Sequence, residues 1–369
     1  MLILACVSGH GYGHGSRVAS VLSALHGLEP SWRLVLSTPL PRPFLELALG
    51  PVPFEHRACR WDVGVIQANA LGVDAAGTLE ALEQLQAALP ERIAREAEWI
   101  ARQAEPVLVI GDVPPAAADL ASAVGAPLVW LASFGWDAIY RPMGDAFQGW
   151  ADRALASYRR GQALIRCPLA MPMDWDLPGL QVGLTPGRPR LQAQRLAQQL
   201  GIATPPERTV MVAFGGMGFA LEPSLFGRWP QHRFLSSDGE LAAAAANVTL
   251  IPEGLRPLEL LPLCGRIITK PGYSTFCEAL SQGVGIHLVR RDGFAEAPVL
   301  EAALQRHGAH RLLSQEQLQR GDWQLDLPLL PATGAALASD GDAAAADYLQ
   351  LCGNALLNGG AVLQLPLTE

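Results

Sequence analysis

The sequence is short of charge, of lysine and of paired cysteines, and each shortage removes a class of function. Only 17% of its 369 residues are charged, 27 basic against 35 acidic, giving a formal net charge of −8 and an isoelectric point near 5.5. A nucleic-acid partner calls for a basic face, and this balance does not supply one. Lysine occurs once, as Lys270 after Thr269, outside any Gly-x-x-x-x-Gly-Lys-Ser/Thr string, which excludes a phosphate loop of that type. The cysteines at 6, 59, 167, 264, 277 and 352 form no C-x-x-C pair, so neither a zinc site nor a disulfide framework is expected, and a reducing cytoplasm fits best. No apolar run approaches the roughly 20 residues of a membrane span, and the stretch Met1–Val7 lacks the basic flank of a signal peptide. The expectation is a cytoplasmic protein without a transmembrane segment, peripheral membrane contact being left open.

What is present is material for a core. Half of the residues are apolar, and 37 Gly with 29 Pro stay below the roughly 25% that marks low complexity. At about 150 residues per domain the length predicts two domains. Leu2–Val7 is an apolar run that ends in a loop of alternating glycines, Gly9 to Gly15, followed by a helical pattern from Arg17 to His26. Apolar runs recur at Arg33–Ser37, Val107–Ile110 and Leu128–Ala132, separated by helical segments such as Leu79–Ala104, which Pro90 is expected to divide. Strands alternating with helices imply a parallel sheet covered on both faces. Residues 186–208, rich in Gly, Pro, Arg and Gln, read as a linker after a first domain over 1–185. A second α/β domain over 209–340 restarts with strand Thr209–Phe214 and continues through Val248–Ile251, Ile267–Thr269 and Gly285–Val289. A C-terminal helix and tail occupy 341–369.

Parallel α/β sheets bind ligands at the carboxyl ends of their strands, where helix N-termini attract anions. The first loop, Ser8-Gly9-His10-Gly11-Tyr12-Gly13-His14-Gly15, lacks the glycine spacing of a dinucleotide fingerprint, which disfavours a nicotinamide or flavin cofactor. His10 and His14 stand four apart, but the glycines around them argue against a helix that would pair them on a metal, so no metal site is expected. His14 is the candidate general base, preferred to His10 because it lies nearer the following helix; Asp112, just past a strand, is the candidate to orient it. The plainer alternatives are loop hydrogen bonding for the histidines and a turn before Pro114 for Asp112. In the second domain Ile267 to Leu280 reads as strand, turn, helix. Gly272 lets backbone approach a ligand, Ser274 and Thr275 with the helix N-terminus suit a diphosphate, and Glu278 suits ribose hydroxyls; the alternative is a capping box, Thr275-x-x-Glu278. Gly215 and Gly216 offer another phosphate cradle or an ordinary turn. Asp292 and Glu296 suit sugar hydroxyls or a helix cap. Asp174-x-Asp176 and Asp340-x-Asp342 read as solvated loop acids.

Taken in order, Ser8 to His14, Asp62-Val63-Gly64-Val65-Ile66-Gln67-Ala68-Asn69-Ala70, Ser133-Phe134-Gly135-Trp136-Asp137, Lys270-Pro271-Gly272-Tyr273-Ser274-Thr275 and Val289-Arg290-Arg291-Asp292 resemble strings in the N-terminal glycosyltransferase-like region of L-arabinokinases. More distantly the chain resembles GT-B glycosyltransferases of the branch that includes the peptidoglycan N-acetylglucosaminyltransferase. The resemblance implies two Rossmann-like domains facing a central cleft, a nucleotide-sugar donor, taken as a uridine diphosphate sugar, at Gly272, Ser274, Thr275 and Glu278, and a histidine base in the first loop. It implies metal-independent, inverting transfer to an unknown acceptor without a further cofactor. Pro271 and Tyr273 depart from the generic phosphate turn. The kinase half of arabinokinases has no counterpart in the sequence, so arabinose phosphorylation is not implied. Epimerisation or hydrolysis of a nucleotide sugar, or binding without catalysis, are the alternatives on the same fold.

Overall fold

The computed structural model describes residues 1–66, 73–214, 221–291 and 293–360. The chain divides into two α/β units, Met1–Thr185 joined by the segment from Ser339, and Pro186–Ala338.

In the first unit the strands are β1 (Leu2–Val7), β2 (Arg33–Ser37), β3 (Glu55–Arg57), β4 (Val107–Asp112), β5 (Leu128–Ala132), β6 (Ala163–Arg166) and β7 (Gly179–Gln181). They lie in the order β3-β2-β1-β4-β5-β6-β7 and all pair in parallel. Every residue of β1 is buried, as expected of a strand covered on both faces. The chain winds outward from β1 to β3, then returns to β4 on the other flank of β1. The loops after β1 and β4 therefore diverge, leaving the crevice that such topological switch points provide.

The second unit repeats the plan with β8 (Thr209–Ala213), β9 (Arg233–Ser236), β10 (Val248–Leu250), β11 (Arg266–Thr269), β12 (Gly285–Val289) and β13 (His310–Leu313). Their order is β10-β9-β8-β11-β12-β13, all parallel, with the switch point between β8 and β11. Phe226, Phe234 and Trp323 pack together in its core. The expected α/β architecture of two doubly wound parallel sheets is what the chain forms.

Several local expectations are corrected. The first helix begins at Tyr12, not Arg17, so Gly13, His14 and Gly15 are helical. A Cβ on Gly15 would lie 2.6 Å from both Leu40 Cδ1 and Phe44 Cε1. That close packing outweighs the roughly 1 kcal/mol that glycine costs a helix. Pro90 does not divide its helix, which runs unbroken over Ala75–Ala101. Leu82, Leu85, Leu89 and Ile100 bury one face, while Pro90 and Gln86, whose carbonyl the proline leaves without a partner, face solvent. Residues 186–208 fold with the second unit: the N–H groups of Arg190 and Leu191 donate to Glu259 Oε2 at 2.7 and 2.9 Å. The C-terminal helix Gly341–Leu357 returns to the first unit, where Gln350 Nε2 donates to Glu29 at 2.8 Å. Among the described residues no helix is long and apolar enough to cross a membrane.

Candidate functional site

At the switch point of the first unit Val7 and Asp112 are level, so the residues after β1 and the end of β4 share one edge of the sheet. His14 is the third residue of helix Tyr12–Leu28, and Arg17 lies one turn on, along the same face. Both reach Asp112, which is fully buried. His14 Nδ1 stands 2.8 Å from Asp112 Oδ1; Arg17 donates through Nε to Oδ2 at 2.8 Å and through Nη2 to Oδ1 at 2.5 Å. Arg17 Nη1 also donates to Ser133 Oγ, just past β5, at 2.8 Å. Burial alone would push the Asp112 carboxyl up, but the charges and hydrogen bonds of Arg17 and His14 outweigh it and hold the group below the usual carboxylate range. An ionised carboxylate only accepts, so Nδ1 carries the ring proton toward it. Arg17 Nη2, 3.4 Å from Nδ1, is then a neighbouring donor and not a hydrogen-bond partner. In the neutral ring Nε2 is left as the basic nitrogen.

His10 takes a different place. Its Nδ1 accepts from the Val65 N–H at 3.3 Å and its ring meets Trp136 edge-on, centroids 5.2 Å apart. A Cβ on Gly64, where φ is +73°, would fall 2.3 Å from His10 Nδ1, so glycine there seats the ring. Asp62, unmarked as a site residue in the sequence, is buried beside this loop and accepts from Ser8, from the Gly9 N–H and from Trp136 Nε1, the last at 2.9 Å. Burial pushes its carboxyl above the ordinary range against those hydrogen bonds and the nearby His14. Arg17, Ser133 and Asp62 were missed. Asp62 and Ser133 each open a string that carries the family resemblance, and Arg17 has the three-residue spacing from His14, which a helix start at Arg17 conceals.

In the second unit Thr269 Oγ1 donates to Ala213 O at 2.6 Å across the β8/β11 switch point. Gly272, extended at φ −159°, is the N-cap of helix Tyr273–Ser281, with no side-chain cap. Thr275 is therefore inside the helix and Glu278 a turn further, so the expected alternative of a Thr275–Glu278 capping box does not form. A Cβ on Gly272 would meet only Thr275 Oγ1 at 3.8 Å and Lys270 O at 3.9 Å, ordinary contacts that leave the position open toward a ligand. Ser274 and Thr275 are half-buried in the first turn. Glu278 makes no side-chain hydrogen bond among the described residues; burial pushes its carboxyl up to about 7, with Arg256 pulling down and Glu259 pushing up. Glu296 is buried at the N-cap of helix Ala297–His307, but its side chain does not cap it. Gly215, Gly216 and Asp292 lie outside the described residues. Asp174 and Asp176 are exposed, whereas Asp342 is buried in the first turn of the last helix and is not a solvated acid. Among the described residues no three His, Cys, Asp or Glu side chains are grouped to hold a metal ion.

No family model matches the chain. Its sequence is similar to L-arabinokinase of Arabidopsis thaliana, 28% identical over 333 residues that cover 86% of this chain and 31% of that protein. The chain thus spans about a third of that relative's length. Its structure is similar to Phytolacca americana UGT2 complexed with UDP-2fluoro-glucose and pterostilbene, with a TM-score of 0.59 at 14% identity, covering 88% of this chain and 89% of that one. Arabidopsis thaliana UGT89C1 complexed with UDP-L-rhamnose gives 0.60 at 12% identity over 98% and 96%. Medicago truncatula UGT71G1 complexed with UDP-glucose gives 0.56 at 14% over 97% and 95%. The fold is that of GT-B glycosyltransferases.

Proposed function

We propose that this chain is a metal-independent, inverting glycosyltransferase that moves a sugar from a uridine diphosphate sugar to an acceptor hydroxyl. The observation that carries this reading is the His14–Asp112 pair, 2.8 Å apart at the β1/β4 switch point, in a fold whose relatives were solved with UDP-glucose and UDP-L-rhamnose. In this reading the acceptor hydroxyl gives its proton to His14 Nε2 while its oxygen attacks the anomeric carbon of the donor. Asp112, accepting from Nδ1–H, stabilises the imidazolium. The bond from that carbon to the diphosphate breaks, and the leaving charge is held by the N-terminus of helix Tyr273–Ser281 with Ser274 and Thr275. Gly272 admits the diphosphate close to the backbone, and Glu278 accepts from the ribose hydroxyls. Glu296 and Asp292 accept from the sugar, and Gly215 with Gly216 complete the phosphate cradle. Attack on the face opposite the leaving group inverts the anomeric configuration.

One observation favours a second reading, nucleotide-sugar binding without turnover. Arg17 already donates twice to Asp112, and a carboxylate neutralised by a guanidinium supports an imidazolium less than a lone one does. Incubation of the chain with uridine diphosphate sugars, with and without sugar and phenolic acceptors, separates the two. Acceptor-dependent UDP release supports transfer, and tight donor binding without release supports the second reading. Acceptor-independent turnover would instead point to hydrolysis or epimerisation.

A further inference from the structure

Basic residues of the second unit share one face of its sheet. Arg208, His232, Arg266, His287 and Arg311 each stand two residues before a member of one core cluster, namely Val210, Phe234, Ile268, Val289 and Leu313. Side chains along a strand return to the same face every second residue, so these five form a row across β9, β8, β11, β12 and β13. The pairing fixes their spacing: Thr209 is level with Arg233, Val210 with Arg266, and His287 with Arg311. The row lies toward the amino ends of the strands, away from the end of the sheet where Gly272 follows β11.

Part of the row is held rigidly. His287, fully buried, donates Nδ1–H to Trp323 O, so its Nε2 accepts from Arg266 Nη1 at 3.0 Å. Arg266 Nη2 donates to Leu327 O at 2.9 Å, and Arg311 donates to Gln324 Oε1 at 2.7 Å and to Pro328 O at 3.2 Å. These acceptors are neutral; they orient the guanidinium groups without cancelling their charge. The Arg208 side chain is exposed and makes no hydrogen bond or ion pair among the described residues. His232 Nδ1 is buried without a hydrogen-bond partner, its ring edge-on to Trp229. Asp326 is the carboxylate whose charge acts on both His232 and Arg266. Three arginines against that acid leave an excess of two positive charges. Burial, then Arg266 and Arg208, hold the His232 imidazole below its ordinary range, an effect that Asp326 offsets only in part. Guanidinium groups side by side on adjacent strands match a tetrahedral oxyanion, which takes several charge-assisted hydrogen bonds at once.

We propose that Arg208 and Arg266 hold a dianionic phosphate group at the amino ends of β8 and β11, with Arg311 adding to the field. The site is independent of the donor reading, because it uses none of the residues assigned to the donor and lies at the other end of the sheet.

The test uses the full chain at constant ionic strength, with inorganic phosphate, glucose 1-phosphate, sulfate and acetate as probes. Phosphate should bind in calorimetry, and Arg208→Gln, which breaks no hydrogen bond among the described residues, should weaken it about threefold to tenfold. Arg208→Lys keeps the charge and should recover part of that loss. Tighter binding of glucose 1-phosphate than of phosphate supports the site with a phosphorylated metabolite as its ligand; equal binding supports it with free phosphate. The ring proton signals of His232 give a local reading. Arg208, Arg266, Asp326 and the neutral His287 are the titratable and charged groups that face it. Sulfate, a dianion throughout the titration, should therefore raise the His232 pKa by about one unit in the wild type and by less in Arg208→Gln. Undiminished phosphate affinity in a folded Arg208→Gln variant overturns the site, since the phosphate then binds elsewhere. So does a wild type that binds no phosphate. An acetate effect on His232 equal to that of sulfate overturns it as well, because it reports screening and not a dianion held between two arginines.

Discussion

Asp112 illustrates how much the partners of one buried carboxylate differ in what they contribute. Replacing it with Asn leaves Arg17, itself 2% exposed, facing a neutral amide, and breaking a buried pair in this way costs about 3 to 5 kcal/mol. Urea unfolding of Asp112→Asn should show a loss of that size, so its lost activity would not by itself report on catalysis. His14→Ala leaves the Arg17–Asp112 pair intact. It is expected to lower turnover about 10² to 10⁴ fold with donor affinity nearly unchanged, and full turnover would make His14 a structural residue. Glu278 sets a pH dependence. Its carboxyl rises from an ordinary 4.5 to about 7 on folding, so between those values the folded chain holds a proton the unfolded chain has lost. Stability therefore falls as pH rises through that window, by about 3 kcal/mol in all. His287 acts in the opposite sense. It is buried, donates Nδ1–H to Trp323 O at 2.9 Å, and is pushed down from 6.5 to about 3 by burial and by Arg266, so its contribution is lost as pH falls through that range. The two slopes overlap and offset, which makes the difference between wild type and Glu278→Gln the useful measurement. The variant should be the more stable by about 3 kcal/mol above pH 7, with the gap closing below pH 5. Its nucleotide affinity should fall with the fold intact if Glu278 meets the ribose, and unchanged affinity would return it to a structural role.

Among the elements, the two helices misjudged from sequence show tertiary packing overruling local propensity. Helix Tyr12–Leu28 keeps Gly15 in its first turn because a bare Cα fits there against Leu40 and Phe44. That early start places His14 and Arg17 one turn apart, and so brings both onto Asp112. Helix Ala75–Ala101 carries Pro90 on its solvent side, where the lost hydrogen bond is wetted and the apolar stripe on the other side stays continuous. Pro90→Ala restores an N–H to the Gln86 carbonyl. Against the roughly 3 kcal/mol helix penalty of proline stands up to about 1 kcal/mol of unfolded-state entropy, so a net stabilisation of about 2 kcal/mol is expected in the denaturant midpoint. A destabilised variant would mean that proline's fixed φ is required at that position.

At the scale of the molecule, each unit is a doubly wound sheet with its candidate residues at its own switch point. The first unit is closed by helix Gly341–Leu357, which returns to it after the whole of the second unit, Pro186–Ala338, has intervened in the chain, and the termini of a domain often lie close together in space. Its seam is tight: a Cβ on Gly353 would lie 2.2 Å from the Trp32 ring, and one on Gly341 would lie 2.0 Å from the Gly183 carbonyl oxygen. Gly353→Ala is expected to cost about 1 to 3 kcal/mol by overpacking. Hydrogen exchange should then quicken in helices Tyr12–Leu28 and Gly341–Leu357 and not in β8 to β13; equal quickening in both units would show that the last helix is not specific to the first.

By itself the sequence determined the class of fold and where chemistry could lie, because doubly covered parallel strands are written as contiguous apolar runs and their functional loops follow directly in the chain. Leu2–Val7, Arg33–Ser37, Leu128–Ala132 and Gly285–Val289 were legible to the residue, whereas β3, with the sequence Glu-His-Arg, carries no apolar run to find. Gly272, Ser274, Thr275 and Glu278 were legible as a strand-turn-helix, yet only the helix starting at Tyr273 decided that Thr275 and Glu278 form no capping box. Only the tertiary structure decided that Asp112 is shared between His14 and Arg17 and that Ser133 and Asp62 stand beside them. Those facts depend on strand order, which joins residues 98 and 116 positions apart in the chain, and no local pattern carries information across such distances.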